Sequence, residues 1–465
     1  MQDLIRFIRT TGIYLVGNVL TKLIAFLLLP IYTGYLSPAE YGTYDLNIAY
    51  ITFLSSILFL DIWGGIMRFM FDYKDDSDKA QVVKSGATIF LISTLIYTLA
   101  VVILGTLLGV EYKFLLFLYG LLTNLQQVMG FTSRGFGKNK IFAISGVVTS
   151  FVTIVCNIIF IVVFRQGYYS LYISSCIGLL VGIIILGQNI NVVQILRACK
   201  INKTLLREML IYSLPLSVNS AAYWFLASFN KVLISYRLSV EENGMYAVAN
   251  KFTSMISLFT QCFQMAWQEL TFSKAGKSKS EMDLFYTTAF KEYIRFMSFG
   301  AIGIIASIKI CFPILISSSY NGAENLVPIA ILAALFSCFS SFLGSILSTL
   351  KKNKYIFTTT IVGSTVNVLI AVFLINILGV QAANIALAIG YLVIDIRRFL
   401  MIKKDICILL DWKWIGALSI QLIITCIVYI KLNSIWSGIV ILLLCCELVI
   451  VYRDKIQKLY IKRER

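Results

Sequence analysis

A nine-residue polar turn, "LSPAEYGTY" at residues 36–44, occurs a second time as "LSVEENGMY" at residues 238–246. Five of the nine positions are identical, namely the leucine, serine, glutamate, glycine and tyrosine. Both copies follow a long apolar segment and precede another. A polar turn repeated between apolar segments indicates that a larger unit has been duplicated, and the apolar segments decide the fold class.

These apolar segments are long enough to cross a membrane. Of the 465 residues, 59% are hydrophobic and only 14% are charged, whereas soluble domains contain about 25% charged residues. A helix of about 20 apolar residues crosses the hydrocarbon core. The sequence therefore predicts an all-α polytopic membrane protein with fourteen spans, at residues 11–36, 42–66, 80–108, 112–136, 141–164, 169–194, 211–236, 244–270, 287–315, 326–350, 354–377, 380–400, 413–431 and 433–452. The first is interpreted as a retained span rather than a signal peptide, because no small-residue cleavage site follows it.

Lysine and arginine are concentrated in alternate loops, and the opposite loops contain only Lys113, Arg165, Arg237 and Lys431. Because positively charged loops stay in the cytoplasm, both termini are predicted to be cytoplasmic. The net charge of +17 is spread one loop at a time along this edge. Such a distribution indicates topology and contact with anionic lipids rather than nucleic-acid binding.

The side-chain inventory argues against an enzyme. The chain has no histidine, and its ten cysteines lie almost entirely within spans without a CxxC pair, so neither a metal site nor a disulfide framework is predicted. No GxxxxGK[ST] motif is present, so ATP hydrolysis by the chain itself is not expected. The outer loops are short, which disfavours a polysaccharide polymerase or ligase. We expect no catalytic residues and no cofactor.

The two turns lie between spans 1 and 2 and between spans 7 and 8, on the same predicted face. A second pair, "GKNKIF" at 137–142 and "KKNKYIF" at 351–357, begins spans 5 and 11. Six spans separate the copies, so the duplication is parallel. The sequence predicts two six-helix lobes around a central cavity, at residues 1–200 and 201–405. Residues 406–465 would add a helix pair and a basic cytoplasmic tail.

Two further stretches, "LLLPIYTGYLSPAEYGTYDL" at 27–46 and "MRFMFDYKDD" at 67–76, are typical of one transporter family. With the duplication and the span count, the chain resembles the polysaccharide-transport branch of the multidrug/oligosaccharidyl-lipid/polysaccharide exporter (MOP) superfamily. The resemblance implies a MATE-like fold and a flippase for undecaprenyl-diphosphate-linked oligosaccharides in the bacterial plasma (inner) membrane. Such a flippase serves surface polysaccharide biosynthesis, whether of lipopolysaccharide O-antigen, capsule or exopolysaccharide.

The implied partners are the lipid-linked glycan, membrane lipids, a polysaccharide polymerase and chain-length proteins. Three alternatives stay open. They are a cation-coupled multidrug exporter of the same superfamily, a flippase for a peptidoglycan lipid precursor, and a membrane polymerase or ligase.

Polar side chains at membrane depth are the candidates for the transport site, because they are costly in lipid. Span 1 contains Asn18 and Lys22, and snorkelling is the alternative for the lysine. Span 8 places six polar residues on one helical face, with Lys251 beside them. These six are Asn250, Ser254, Ser257, Gln261, Gln264 and Gln268. We expect the lysines to attract the diphosphate and the polar stripe to contact sugar hydroxyls; helix–helix hydrogen bonding is the alternative for the stripe.

Four more charged side chains are of interest. Arg68, just past span 2, is positioned to help dock a diphosphate arriving from the cytoplasm. Asp45 and Asp61, near opposite ends of span 2, are the candidates for binding a coupled proton or sodium ion. Asp395 and Arg398 are spaced to pair on span 12. The membrane potential alone favours outward movement of an anionic head group, by about 2.3 kcal/mol per charge per 100 mV.

Overall fold

The computed structural model describes residues 26, 28–190, 195, 202–274 and 279–463, with the side chains of 258–259, 261–274, 279 and 454–463 excepted. Within these ranges the chain is helical and contains no β-strand. The helices are α1 Leu29–Tyr35, α2 Pro38–Leu58, α3 Ile62–Met70, α4 Asp76–Leu107, α5 Lys113–Gly135, α6 Asn139–Asn157, α7 Tyr169–Ile190, α8 Lys203–Ala227, α9 Phe229–Arg237, α10 Val240–Lys274, α11 Lys279–Leu315, α12 Val327–Thr349, α13 Asn353–Leu378, α14 Gln381–Ile402, α15 Trp412–Lys431 and α16 Ser434–Arg463. A π-helical turn, Ile158–Val163, extends α6, and a 3-10 segment, Ser318–Leu326, precedes α12.

The predicted spans 2 to 14 each coincide with one helix or with two consecutive helices. Among the described residues, nine helices are long and apolar enough to cross a membrane. The pair α2 and α3, bent by 46°, forms a tenth such span. The all-α polytopic class is therefore confirmed. The total of fourteen stays a prediction, because most of span 1 lies outside the described residues.

Each copy of the repeated turn begins a helix with the same cap. In the first copy, the Ser37 hydroxyl accepts a hydrogen bond from the backbone N–H of Glu40 at 3.3 Å. The Glu40 carboxylate in turn accepts from the Ser37 N–H at 2.9 Å. In the second, the Ser239 hydroxyl accepts from the Glu242 N–H at 3.1 Å. Since the first N–H groups of a helix have no partner within it, the repeated serine serves to start both α2 and α10, and Glu40 completes the cap of α2.

The repeated glycine has a different purpose, because the two copies pack against each other. A Cβ atom on Gly42 would overlap the Val240 carbonyl oxygen, and one on Gly244 would overlap the Pro38 carbonyl oxygen. The Asn243 side-chain amide also donates to the Gly42 carbonyl at 2.8 Å. Only glycine allows two backbones to approach so closely. The polar turn is thus repeated because each copy caps its own helix and packs on the other.

The chain forms two compact units. The first comprises Met1–Ala247 and Asn367–Asn376, and the second comprises Val248–Val366 and Ile377–Arg465. The core of the first is built on α3, whose Ile62, Ile66 and Met70 are fully buried. In the second, α11 and α12 meet through stacked rings: Phe290 and Tyr293 lie 5.2 and 4.7 Å from Phe342. The predicted division into lobes at 1–200 and 201–405, with 406–465 appended, stays a prediction.

Helix α4 illustrates how the sequence pattern positions a lipid-facing helix. Leu91, Leu95 and Leu99 follow at intervals of four residues and are all more than 60% exposed. Ile89, Tyr97 and Val101, on the opposite side, are buried in the first unit. An exposed leucine stripe would be costly in water but is favourable against hydrocarbon.

Alternate loops of the first unit meet at opposite ends of the helices. Glu40, Glu111 and Tyr168, from three loops predicted to be outer, line one cavity. At the other end, the Lys138 ammonium donates to the Asn189 carbonyl at 2.5 Å. This grouping agrees with the alternation of spans inferred from the loop charges.

Candidate transport site

Asp45 on α2 and Lys231 on α9 form an ion pair within the first unit. The Lys231 Nζ lies 2.9 Å from Asp45 Oδ1, and the two side chains are only 22% and 13% exposed. The other carboxylate oxygen, Asp45 Oδ2, is buried and has no hydrogen-bond partner among the described residues. Separation of this pair would leave a poorly solvated charge behind, which is costly.

A tyrosine cluster surrounds this pair on the α2 side. Tyr41 and Tyr44 stack 6.1 Å apart, and Tyr44 lies 5.1 Å from Tyr172. The Asn47 side chain donates to the Tyr172 hydroxyl at 3.2 Å. Tyr41 and Tyr172 are buried, so these rings form part of the packed interior rather than an exposed platform for sugars. The cluster keeps water away from one side of Asp45.

Asp61, the second predicted ion-coupling residue, lies in the break between α2 and α3. Leu60 and Asp61 both adopt positive φ angles, 56° and 48°, which is uncommon for residues other than glycine. The Asp61 carboxylate accepts a hydrogen bond from the Ser220 hydroxyl of α8. Ser217, one turn earlier on α8, donates to the Ser56 carbonyl at 2.8 Å. Helix α8, which also contains Pro215, therefore supplies the hydrogen bonds that hold the break.

Arg68 lies at the end of α3, where its side chain is 52% exposed and pairs with Asp72 at 2.5 Å. A diphosphate arriving at Arg68 would have to compete with this exposed pair, which costs little because surface ion pairs are weak. The proposed role of Arg68 in docking stays a prediction.

The described part of the span-8 stripe satisfies its hydroxyls within α10. The Ser254 hydroxyl donates to the Lys251 carbonyl at 2.6 Å, and that of Ser257 donates to the Thr253 carbonyl at 3.4 Å. Asn250 and Lys251 are half-buried. The side chains of Gln261, Gln264 and Gln268 lie outside the described residues, as do Asn18 and Lys22. The assignment of these residues to the substrate cavity stays a prediction.

The expected pairing of Asp395 with Arg398 was wrong. Buried Arg398 donates instead to the Ser340 carbonyl at 2.6 Å and to the hydroxyls of Thr359 and Thr360, both at 3.1 Å. The hydrogen bonds that Arg398 donates do not include one to Asp395. The guanidinium presents five donors in a fixed fork, and α12 and α13 supply enough acceptors to take them.

The sequence also gave no sign of a second intramembrane ion pair, Lys309 with Glu324, in the second unit. Their atoms lie 2.8 Å apart, and Lys309 Nζ lies 5.1 Å from the centre of the Tyr429 ring. Tyr429 also donates to the Glu324 carbonyl at 3.2 Å. Each unit thus contains a lysine neutralised by a carboxylate of another helical segment, 186 residues away for Lys231 and 15 residues away for Lys309. Among the described residues, no cluster of histidine, cysteine, aspartate or glutamate could hold a metal ion.

A profile of the polysaccharide biosynthesis protein family matches residues 7–267, which is more than half of the chain. The chain belongs to this family. The match includes both copies of the turn, α2 to α9 and the Asp45–Lys231 pair. The family recognised from the sequence motifs is therefore confirmed.

Solved structures of MOP transporters share the fold. The lipid II flippase MurJ, in its inward closed conformation, superposes with a TM-score of 0.70 at 14% identity, over 95% of this chain and 99% of that one. An inward-facing multidrug resistance MATE family transporter of the MOP superfamily superposes with a TM-score of 0.67 at 17% identity, over 82% and 93%. At such identities the likeness concerns the fold alone. No curated protein matches the sequence.

Proposed function

We propose that this protein is a flippase that moves undecaprenyl-diphosphate-linked oligosaccharide repeat units from the cytoplasmic to the outer leaflet of a bacterial plasma membrane. The observation that carries the proposal is the match to polysaccharide biosynthesis proteins over a chain whose fold is that of a transporter. A transporter in such a pathway has to move the sugar, and membrane-bound assembly places that sugar on a lipid carrier. The O-antigen, capsule and exopolysaccharide pathways are the settings we propose, with a polymerase and chain-length proteins as partners.

The transport cycle that we propose is alternating access. Lys22 and Lys251 attract the diphosphate, the polar face of α10 contacts the glycan, and the lipid tail stays in the bilayer. The α2–α3 break supports such a cycle, since two helical segments joined at a strained turn can change their angle without unfolding. The serine hydrogen bonds from α8 would hold one of these angles.

We propose the carboxylates of Asp45 and Asp61 as the groups that bind a coupled proton or sodium ion. Protonation of Asp45 would remove its attraction for Lys231 and leave the lysine charge available to an anionic substrate. Protonation of Asp61 would weaken its hydrogen bond to Ser220. The membrane potential would add a bias of about 2.3 kcal/mol per charge per 100 mV.

Deletion of the protein from its host tests the substrate class. We expect lipid-linked repeat units to accumulate on the cytoplasmic side while their synthesis continues, and surface polysaccharide to disappear. Complementation with Lys251→Ala should restore less polysaccharide than complementation with Lys431→Ala, a matched control at an exposed lysine. Normal polysaccharide export in the deletion strain would overturn the proposal.

Two alternatives have support of their own in the shared fold. If the deletion strain exports glycan normally but becomes sensitive to cationic dyes, the protein is a multidrug exporter, as in one structural relative. If it instead stops peptidoglycan synthesis, the protein moves a peptidoglycan lipid precursor, as the name of the other relative indicates. Lys22 and Lys251, the proposed contacts of the diphosphate, favour an anionic cargo, because they would repel a cationic drug in a low-dielectric site.

A further inference from the structure

Two adjoining cavities lie in the first unit, at the membrane face predicted to be outer. The larger has a volume of about 430 Å³, within the range of small-molecule sites. The smaller has a volume of about 120 Å³ and lies between α2, α4 and α5. Asn47, Tyr50, Leu108 and Val110 line both. The two therefore form one site, which consists of a mouth and a slot.

The mouth presents two carboxylates. Glu111 accepts a hydrogen bond from the Tyr168 hydroxyl at 3.1 Å through Oε2, and Glu40 uses its own Oε2 in the cap of α2. Neither Oε1 has a hydrogen-bond partner among the described residues. Burial, and after it the nearby Glu111 and Glu40 carboxylates, raise the pKa of Tyr168. Two carboxylates facing one cavity attract a cation that has several N–H donors.

The slot is apolar and open to the bilayer. Ile51, Phe53, Leu54 and Leu116 line it, and its outer wall is formed by Leu104 and Leu108, which are 41% and 56% exposed. Gly105 leaves the slot wide, since a Cβ atom there would already lie 3.4 Å from the Lys113 side chain. A slot of this kind, next to lipid-facing leucines, fits the upper part of an acyl chain.

Lys113 lines the slot and follows Glu111 of the mouth by two positions in the chain. Its ammonium lies 3.3 Å from the Thr106 hydroxyl, and it forms no ion pair with any carboxylate among the described residues. The site therefore combines two carboxylates in the mouth with one lysine, unpaired within the described part of the chain, and apolar side chains in the slot. A phospholipid with an amine head group has the complementary groups, namely an ammonium, a phosphate and an acyl chain.

We propose that this double cavity binds phosphatidylethanolamine of the outer leaflet, with its ammonium at Glu40 and Glu111, its phosphate at Lys113 and an acyl chain between Leu54 and Leu104. Phosphatidylglycerol supplies no cation for the two carboxylates. Phosphatidylcholine has no N–H group to donate to them. An undecaprenyl diphosphate would bring two negative charges to a mouth that already holds two, so this site is separate from any glycan site and does not depend on the flippase function.

Native mass spectrometry of the full-length protein, exchanged into mixed micelles with equimolar phosphatidylethanolamine, phosphatidylcholine and phosphatidylglycerol, tests the assignment. The wild type should retain phosphatidylethanolamine over phosphatidylglycerol. Glu111→Gln should lower that preference roughly two- to fivefold, the effect of losing one exposed ion pair. Lys113→Gln should weaken retention of all three lipids alike. Glu241→Gln, at an exposed carboxylate of the other outer turn, should change nothing.

Gly105→Leu fills the slot and should reduce retention of every lipid, provided that the variant elutes as a folded monodisperse protein. If it does not fold, the two polar variants still decide, because Glu111→Gln changes the ratio of phosphatidylethanolamine to phosphatidylglycerol whereas Lys113→Gln changes the total lipid retained. Equal retention of the three lipids by the wild type would overturn the proposal. So would an unchanged preference in Glu111→Gln.

Discussion

Replacement of Lys231 by methionine should destabilise the protein strongly, because it leaves the Asp45 carboxylate buried without its cation. The Asp45 side chain is 13% exposed, and its Oδ2 already lacks a hydrogen bond among the described residues. Breaking a buried ion pair by removing one partner costs about 3–5 kcal/mol. Since both side chains keep some exposure, we expect a loss near the lower end, about 3 kcal/mol. The double variant Asp45→Asn with Lys231→Met should recover most of the lost free energy of unfolding, because it buries no charge.

The measurement is a double-mutant cycle on the purified protein, with unfolding followed in mixed detergent micelles. Lys431→Met is the matched control, since Lys431 is also a lysine near the end of a span but is exposed. It should change the free energy of unfolding by less than about 0.5 kcal/mol, as surface substitutions usually do. If Lys231→Met costs no more than Lys431→Met, or if the double variant is as unstable as the sum of the single ones, the pair does not stabilise the fold as argued.

Three further outcomes are expected. Gly42→Val should lower the free energy of unfolding by about 3 kcal/mol or more, because the backbone atoms it meets cannot move aside, and should lower the yield of folded protein in size-exclusion chromatography. Gly34→Val, whose side chain would enter open space, should not lower that yield. The Lys291 ammonium donates a hydrogen bond to the Asp411 carboxylate and lowers the pKa of that carboxyl from 3.8, so the interaction stabilises the fold above pH 3.8 and is lost as the pH falls below it. Asp411→Asn should therefore melt at a lower temperature than the wild type at pH 7, and the difference in melting temperature should disappear in acid. Asp61→Asn should fold normally because asparagine tolerates a positive φ, whereas Asp61→Val should lower the free energy of unfolding by about 1–3 kcal/mol. Ion-driven transport by the asparagine variant then reports whether the Asp61 carboxyl binds the coupled ion.

Local features of the sequence were sufficient for the fold class and for the family. Hydrophobic runs and loop charges can be recognised in a short stretch of sequence. Their effect on span position and orientation depends on the bilayer and not on contact with another part of the chain. The capping roles of Ser37 and Ser239 were also local, since a cap involves residues three positions apart. For the same reason the helices α2 to α16 fall where the apolar segments predicted them.

Tertiary structure alone decided which polar groups meet. Asp45 and Lys231 are 186 residues apart, and nothing near either residue indicates the other. Asp395 and Arg398 were close enough on one helix to pair, yet Arg398 found its acceptors on α12 and α13. The repeated glycine could be seen in the sequence, but the contact between Gly42 and the backbone of α10 could not. The physical reason is the same in each case. Helical spacing limits which side chains can reach one another within a helix, and it can be read from the sequence. The partner of a buried charge, or of a backbone exposed at a glycine, is set by the neighbouring helices that pack around it.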